Sequence, residues 1–258
     1  MSDVVAYTRD GDVGALVITK PPLNLFDREL VDGLKEGVAQ AAADSPRALM
    51  VRAEGKVFTG GVDVKEFDDL GGTAARTFAQ ELLDLTHSIE DLPFPTLACV
   101  HGLCLTAGLE LALACDLIWA GEAASFGLVE RVVGVTPFMG GTQRMAERAG
   151  PARAREFVYS GNPYPAAELE RWGVINRVVP NDELMASATD FATHLAAGPP
   201  HAHAATKRII RAQVDGGTRH ADSVTPDEAA GLFETDDLKN AVKTFLAEGP
   251  GKARFDGR

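Results

Sequence analysis

Cysteine is scarce in this chain: Cys99, Cys104 and Cys115 are the only three in 258 residues. No two form a CxxC pair and three cannot all pair, which argues against a disulfide framework or a cysteine zinc site. They read as small core residues. Basic residues are also in deficit, 25 Lys and Arg against 37 Asp and Glu, for a formal net charge of -12. Binding nucleic acid needs a basic face, so no nucleic-acid partner is expected. No apolar run approaches the roughly 20 residues that span a bilayer, because the longest is broken by Glu110 and Asp116. The opening "MSDVVAYTRDGDVG" lacks a basic region followed by an apolar one, so no secretory leader is read there. The expectation is a cytoplasmic protein without a membrane partner.

Several familiar chemistries lack their residues as well. "GPGKAR" has neither the following Ser/Thr nor the preceding strand of a Walker phosphate loop. No GxGxxG follows the first strands, no HExxH occurs, and no serine sits in a GxSxG elbow. The six histidines are scattered, and His201 and His203, two apart, fall on different sides of the helix expected there. They read as surface or packing residues, and no metal site is expected.

What is present is a chain that is 45% hydrophobic, enough for a sizeable core. Short apolar runs ("ALVIT", "ALMVRA", "TLACV", "DLIWA", "GVINRVV") alternate with helical patterns such as "DRELVDGLKEGVAQAAA" and "TFAQELLDLTHSIEDL". That order predicts an α/β fold. In the second helix Phe78, Leu82, Leu85 and Ile89 recur at helical spacing and Pro93 follows, which predicts one buried face. After "AAGPP" only helical patterns remain, so residues 1–197 are expected as core and 198–258 as a helical region. Lys207, Arg208 and Arg211 on that region fit either a solvated helix face or a contact to phosphates. The last residues, "PGKARFDGR", read as a mobile or docking terminus.

One carboxylate stands out. Gly102 to Asp116, "GLCLTAGLELALACD", is apolar apart from Glu110 near its middle. The small residues Thr106, Ala107 and Gly108 suit a tight strand-to-helix turn, which leaves backbone N–H groups and a positive helix end inside a dry site. Such donors can hold an oxyanion. Glu110 is then either a glutamate tolerated at a helix start or a working group. Twenty positions on, "ASFGLVERVVG" carries Glu130 beside Arg131, which is either a surface ion pair or a second glutamate facing the same cavity. Two buried carboxylates would raise at least one pKa and pair an acid with a base. "EGKVFTGGVDVKEF" adds Gly60 and Gly61 after a strand, a turn whose backbone can approach a ligand.

With "KVFTGGVDVKEF", "HGLCLTAGLELALACD", "ASFGLVERVVGVTPFMGGTQR" and "FETDDLKNAVKTFLAEG" in this order, the chain resembles the enoyl-CoA hydratase/isomerase family, the crotonase superfamily, over nearly its full length. The resemblance implies a crotonase-like spiral of ββα turns with a C-terminal helical region that drives assembly into a homotrimer or a dimer of trimers. It implies that the backbone N–H groups of Val62 and Ala107 bind the oxygen of an acyl-CoA thioester. Val62, Asp63, Val64 and Lys65, with Ala107 and Gly108, would contact CoA and substrate, although Asp63 also suits a helix cap. Glu110 would activate water and Glu130 would protonate C2. CoA is part of the substrate, and no cofactor is implied. Thr106 and Ala107 stand where the family usually has glycine, and Phe138 and Met139 where it commonly has small residues, so the last two are expected to wall the acyl pocket. The reading is an enoyl-CoA hydratase. The alternatives are an isomerase or other acyl-CoA enzyme of the superfamily, or a non-catalytic acyl-CoA binder.

Overall fold

The computed structural model describes residues 4–68 and 70–258. A six-stranded sheet is built from β1 (Val5–Asp10), β2 (Val13–Ile18), β3 (Ala48–Ala53), β4 (Thr96–Val100), β6 (Leu117–Gly121) and β9 (Arg177–Val179), in that spatial order. Only the β1–β2 pair is antiparallel. A smaller sheet joins β5 (Leu103–Leu105), β7 (Ser125–Gly127) and β8 (Tyr164–Pro165). Two single bridges join Phe26 to Val62 and Thr59 to Cys104 of β5.

The repeat is a strand of the large sheet, a short extended excursion, and a helix. β2 passes through Phe26 to α1 (Arg28–Asp44), and β3 passes through Thr59 and Val62 to α2 (Gly72–Glu90). β4 and β5 lead to α3 (Ala107–Ala114), and β6 and β7 to α4 (Gly141–Ala149) and α5 (Pro151–Ser160). This is the ββα spiral. α6 (Ala166–Arg171) precedes β9 and α7 (Leu184–Ala196) follows it.

Local chemistry sets these elements. Asp27 caps α1 by accepting the Leu30 N–H, and the helix buries Leu30, Val31, Leu34, Val38 and Ala41 along one stripe. On α2, Phe78, Leu82, Leu85 and Ile89 are all buried, as their spacing predicts. Strand pleating divides the interior in two. Leu49, Val51, Ala98 and Val100 face the main core under the helices. Met50, Leu97, Cys99 and Trp119 face the other side, where Leu184, Ala188 and Ala192 of α7 cover them. The three cysteines are buried and free. The strand expected over "GVINRVV" is shorter, because Val174 and Ile175 are buried in the turn after α6, where both N–H groups donate to the Leu169 carbonyl.

Three helices follow residue 199: α8 (Pro200–Gly216), α9 (Thr218–Phe233) and α10 (Asp236–Glu248). The cations of α8 are engaged in ion pairs rather than free for phosphate. Lys207 meets Asp116 at 2.9 Å and Arg211 meets Glu90 at 3.1 Å, fastening α8 to the core, while Arg208 pairs with Glu228 on α9 at 2.5 Å. The C-terminal residues dock. The Asp256 and Gly257 N–H groups donate to the Asp237 carboxylate, and the Arg47 guanidinium donates to the Phe255 carbonyl.

Candidate active site

α3 is apolar on every side and wholly buried, so its one carboxylate is buried with it. Glu110 is 3% exposed. It lies in the first turn of α3 and points at the N-terminus of α4, where the Met139 and Gly141 N–H groups donate to its Oε1 at 2.9 and 2.7 Å. Gly141 is required by contact, since a Cβ there would lie 2.7 Å from Glu110 Cγ. Burial raises the Glu110 pKa well above the usual carboxylate range, and the nearby Glu130 charge adds to the rise; the two N–H donors oppose it.

Glu130 opens a short 3-10 helix, Glu130–Val133, after β7. It is 8% exposed, and its pKa is also raised by burial. Its Oε2 is one of two buried side-chain polar atoms without a hydrogen-bond partner among the described residues. Arg131 does not pair with it: the guanidinium donates to the Tyr159 and Ser160 carbonyls instead. A surface ion pair is therefore excluded. A buried polar atom left open costs about 1–3 kcal/mol, and the cost is sensible where a ligand or water will meet it.

Between the two glutamates lies a cavity of about 190 Å³. Val62, Phe67, Leu82, Val129 and Phe138 make its walls apolar, and Thr106 and Ala107 form part of its lining. The turn into α3 has Thr106 at φ +47° and ψ −123°. It is pinned by the Thr106 N–H to the Gly127 carbonyl (2.8 Å) and by the Glu110 N–H to the Thr106 carbonyl (3.0 Å). The Ala107 N–H, first in α3, meets no acceptor among the described residues. Gly108 follows because a Cβ there would overlap Thr59 Cγ2, at 1.6 Å. The Thr59 strand segment runs beside this turn, with Thr59 N–H to the Leu103 carbonyl and Leu105 N–H to the Thr59 carbonyl. Val62 is thereby brought next to Thr106, and its N–H donates to Thr106 Oγ1 at 3.0 Å.

A second cavity, about 250 Å³, opens between α3, α4 and α8 and holds Arg144, Arg148, Lys207 and Arg211. Its cations are satisfied internally. Arg144 forks onto Glu90 at 2.7 and 2.6 Å, and Arg148 donates to the Leu113 and Cys115 carbonyls at the end of α3. It is larger, but its four cations are already held by the protein.

A family model described as enoyl-CoA hydratase/isomerase matches residues 8–257. The chain belongs to the enoyl-CoA hydratase/isomerase family. It is 30% identical over 242 residues to a probable enoyl-CoA hydratase of Mycobacterium tuberculosis, covering 89% of this chain and 93% of that one. A probable enoyl-CoA hydratase of Bacillus subtilis is 29% identical over 258 residues, 99% of each chain. Among solved structures, enoyl-CoA hydratase subunit I of Geobacillus kaustophilus superposes with a TM-score of 0.93 at 31% identity, covering 99% of this chain and 98% of that one.

Against the family pattern, Glu110, Glu130, Val62, Ala107, Val64 and Phe138 come together around one cavity. The four remaining residues are placed otherwise. Met139 does not wall the acyl pocket: its side chain is fully buried in the main core, and its backbone N–H is what reaches the site, through Glu110. Gly108 packs on Thr59 rather than lining the cavity. Asp63 accepts the Lys65 N–H as the cap of the 3-10 helix Val64–Phe67, and the exposed Lys65 lies outside the cavity wall. Sequence reasoning missed the Thr106 hydroxyl and the Glu90–Arg144 clamp. The only signal for the clamp was "GGTQR", whose Arg144 falls one turn after the Glu110 seat.

Proposed function

We propose that this family member is an enoyl-CoA hydratase, adding water syn across C2=C3 of a trans-2-enoyl-CoA to give the 3-hydroxyacyl-CoA. The observation that carries this reading is the pair of buried glutamates on one apolar cavity, one clamped by backbone N–H groups and the other with an open oxygen. Like charges this confined cannot both ionise near neutrality, so the pair holds one proton. The N–H donors and the α4 N-terminus favour the charge on Glu110, which leaves the proton on Glu130. Glu110 takes a proton from water as the water oxygen bonds to C3. The π electrons move through C2 onto the thioester oxygen, and C2 then takes the Glu130 proton. One proton enters the pair and one leaves, so the net change is addition of H2O.

In this scheme the enolate-like oxygen lies at the turn where Val62 and Ala107 meet, with the Ala107 N–H open to it. Carboxylates and backbone amides carry each step, and CoA enters as part of the substrate with no further cofactor invoked. Phe138, edge-on to Phe67 and Phe78 with ring centroids 5.7 and 6.3 Å apart, closes the acyl end and favours short chains. Phe138→Ala is expected to shift the preference among enoyl-CoA lengths toward longer ones by about tenfold, as one or two methylenes are worth; an unchanged profile removes Phe138 from that role.

Phe233, Val242, Phe245 and Leu246 are exposed on α9 and α10, and we read this face as the contact of a homotrimer or dimer of trimers. Sedimentation velocity tests it. No helix among the described residues is long and apolar enough to cross a membrane, which fits a cytoplasmic place in fatty acid or related acyl-CoA metabolism. Mixing the protein with crotonyl-CoA should bleach the conjugated thioester absorbance; no turnover with any enoyl length overturns the hydratase reading. Conversion of a 3-enoyl-CoA without hydration would make it an isomerase.

A further inference from the structure

Thr106 occupies a backbone conformation that side chains seldom adopt, φ +47° with ψ −123°. A β-branched residue is strained there, and glycine would make the same turn without strain. Its surroundings are cut to fit the hydroxyl. Gly61, itself at φ +100°, leaves the space Oγ1 needs, since a Cβ on Gly61 would lie 2.3 Å from it. Thr106 is buried yet lines the cavity beside Ala107.

The hydrogen bonding explains what the hydroxyl is for. A hydroxyl accepts with two lone pairs and donates one proton. Oγ1 already accepts the Val62 N–H at 3.0 Å, and its proton meets no acceptor among the described residues. We infer that the Thr106 hydroxyl is itself an oxyanion donor, with Val62 N–H behind it and Ala107 N–H beside it. The inference rests on the acyl-CoA reading of the cavity. The acyl oxygen then sits between Thr106 Oγ–H and Ala107 N–H, one bond removed from Val62. Because a donor that itself accepts a hydrogen bond is polarised by it, the chain Val62 N–H to Thr106 O–H to oxygen strengthens as charge develops.

Butyryl-CoA labelled with carbon-13 at its carbonyl binds without reacting, so the infrared position of that bound carbonyl reads the donors directly. In the wild type the band should lie well below its position in water. Thr106→Val keeps the shape, removes the hydroxyl and still covers the Val62 N–H; the band should move back up, and kcat for hydration should fall about 10²–10³-fold with KM changing less. Thr106→Ser should bring the band down again. A Thr106→Val band at the wild-type position overturns the inference. Where that variant does not fold, wild-type crystals with butyryl-CoA decide. Oxygen within hydrogen-bond distance of Thr106 Oγ, with Val62 N–H still on Oγ, supports it. Oxygen seated on Val62 N–H with the threonine turned away overturns it. A polarised band lost in Thr106→Val, without hydration of crotonyl-CoA by the wild type, upholds Thr106 and removes the hydratase reading. Hydration unaffected by Thr106→Val does the reverse, and no binding of butyryl-CoA overturns both.

Discussion

Glu90 and Glu110 are both carboxylates held inside the protein by α4, and they are held in opposite ways. Glu90 receives a guanidinium: Arg144 grips both of its oxygens and Arg211 adds a third contact. Burial pushes its pKa up, but the Arg144 hydrogen bonds and charge, with Arg211, hold it below the usual value. Glu110 receives only neutral amides, and on one oxygen. Its pKa is raised. A full counter-charge fixes a carboxylate as a structural anion, whereas amide donors orient it and leave its proton negotiable.

The largest effect should come from Glu110→Gln, which keeps an acceptor for both N–H groups and removes the base. Hydration of crotonyl-CoA should fall about 10³–10⁴-fold, while the thermal midpoint at neutral pH changes little or rises. The same variant tests the sign of the raised pKa. A carboxyl that keeps its proton longer when folded stabilises the fold below its unfolded pKa, about 4.3, and loses that contribution as pH rises through its folded value. Denaturant titrations should therefore show the stability difference between Glu110→Gln and the wild type growing in the variant's favour as pH rises above about 4.3, and levelling off once Glu110 is ionised. A constant difference means that Glu110 titrates normally.

Next in size is the structural partner. Arg144→Met leaves Glu90 with only its contact to Arg211 and should cost up to about 3–5 kcal/mol in urea unfolding. Adding Glu90→Leu should recover most of that, because a buried pair replaced by apolar groups is often neutral. No recovery would show that Arg144 acts through its contact with the Gly140 carbonyl at 3.3 Å rather than through charge. The smallest of the three is Gly141→Ala. Its methyl presses on Glu110 and should lower kcat about 10–100-fold, as misplacement of a base does, with only a modest shift in thermal midpoint. Unaltered kcat would mean that Glu110 need not sit where the two N–H groups place it.

Much of this contrast could be anticipated along the chain, but unevenly. Glu110 was visible because it interrupts an apolar segment, and Glu130 because a Gly-punctuated apolar segment surrounds it. β3 and β4 coincide with their apolar runs "ALMVRA" and "TLACV". β5, β7 and β8 are two or three residues long, too short for alternation to register, so the spiral has no period in sequence although each turn repeats in space. Met139 misled for a similar reason. Its position in the resemblance placed it at the acyl pocket, but successive residues of a tight turn point to different sides, and only its N–H faces Glu110.

The sequence by itself determined the α/β order, the buried stripes of α1 and α2, and the presence of two glutamates in segments too apolar to solvate them, because these follow from spacing and composition within a few residues. Tertiary structure alone decided which carboxylate is pinned, which oxygen is left open, that Arg144 belongs to Glu90, and that the Thr106 hydroxyl stands between Val62 and the cavity. Those depend on contacts between segments 29 to 54 residues apart. Strand pairing and helix packing set their distances to tenths of an ångström, and no local pattern encodes that.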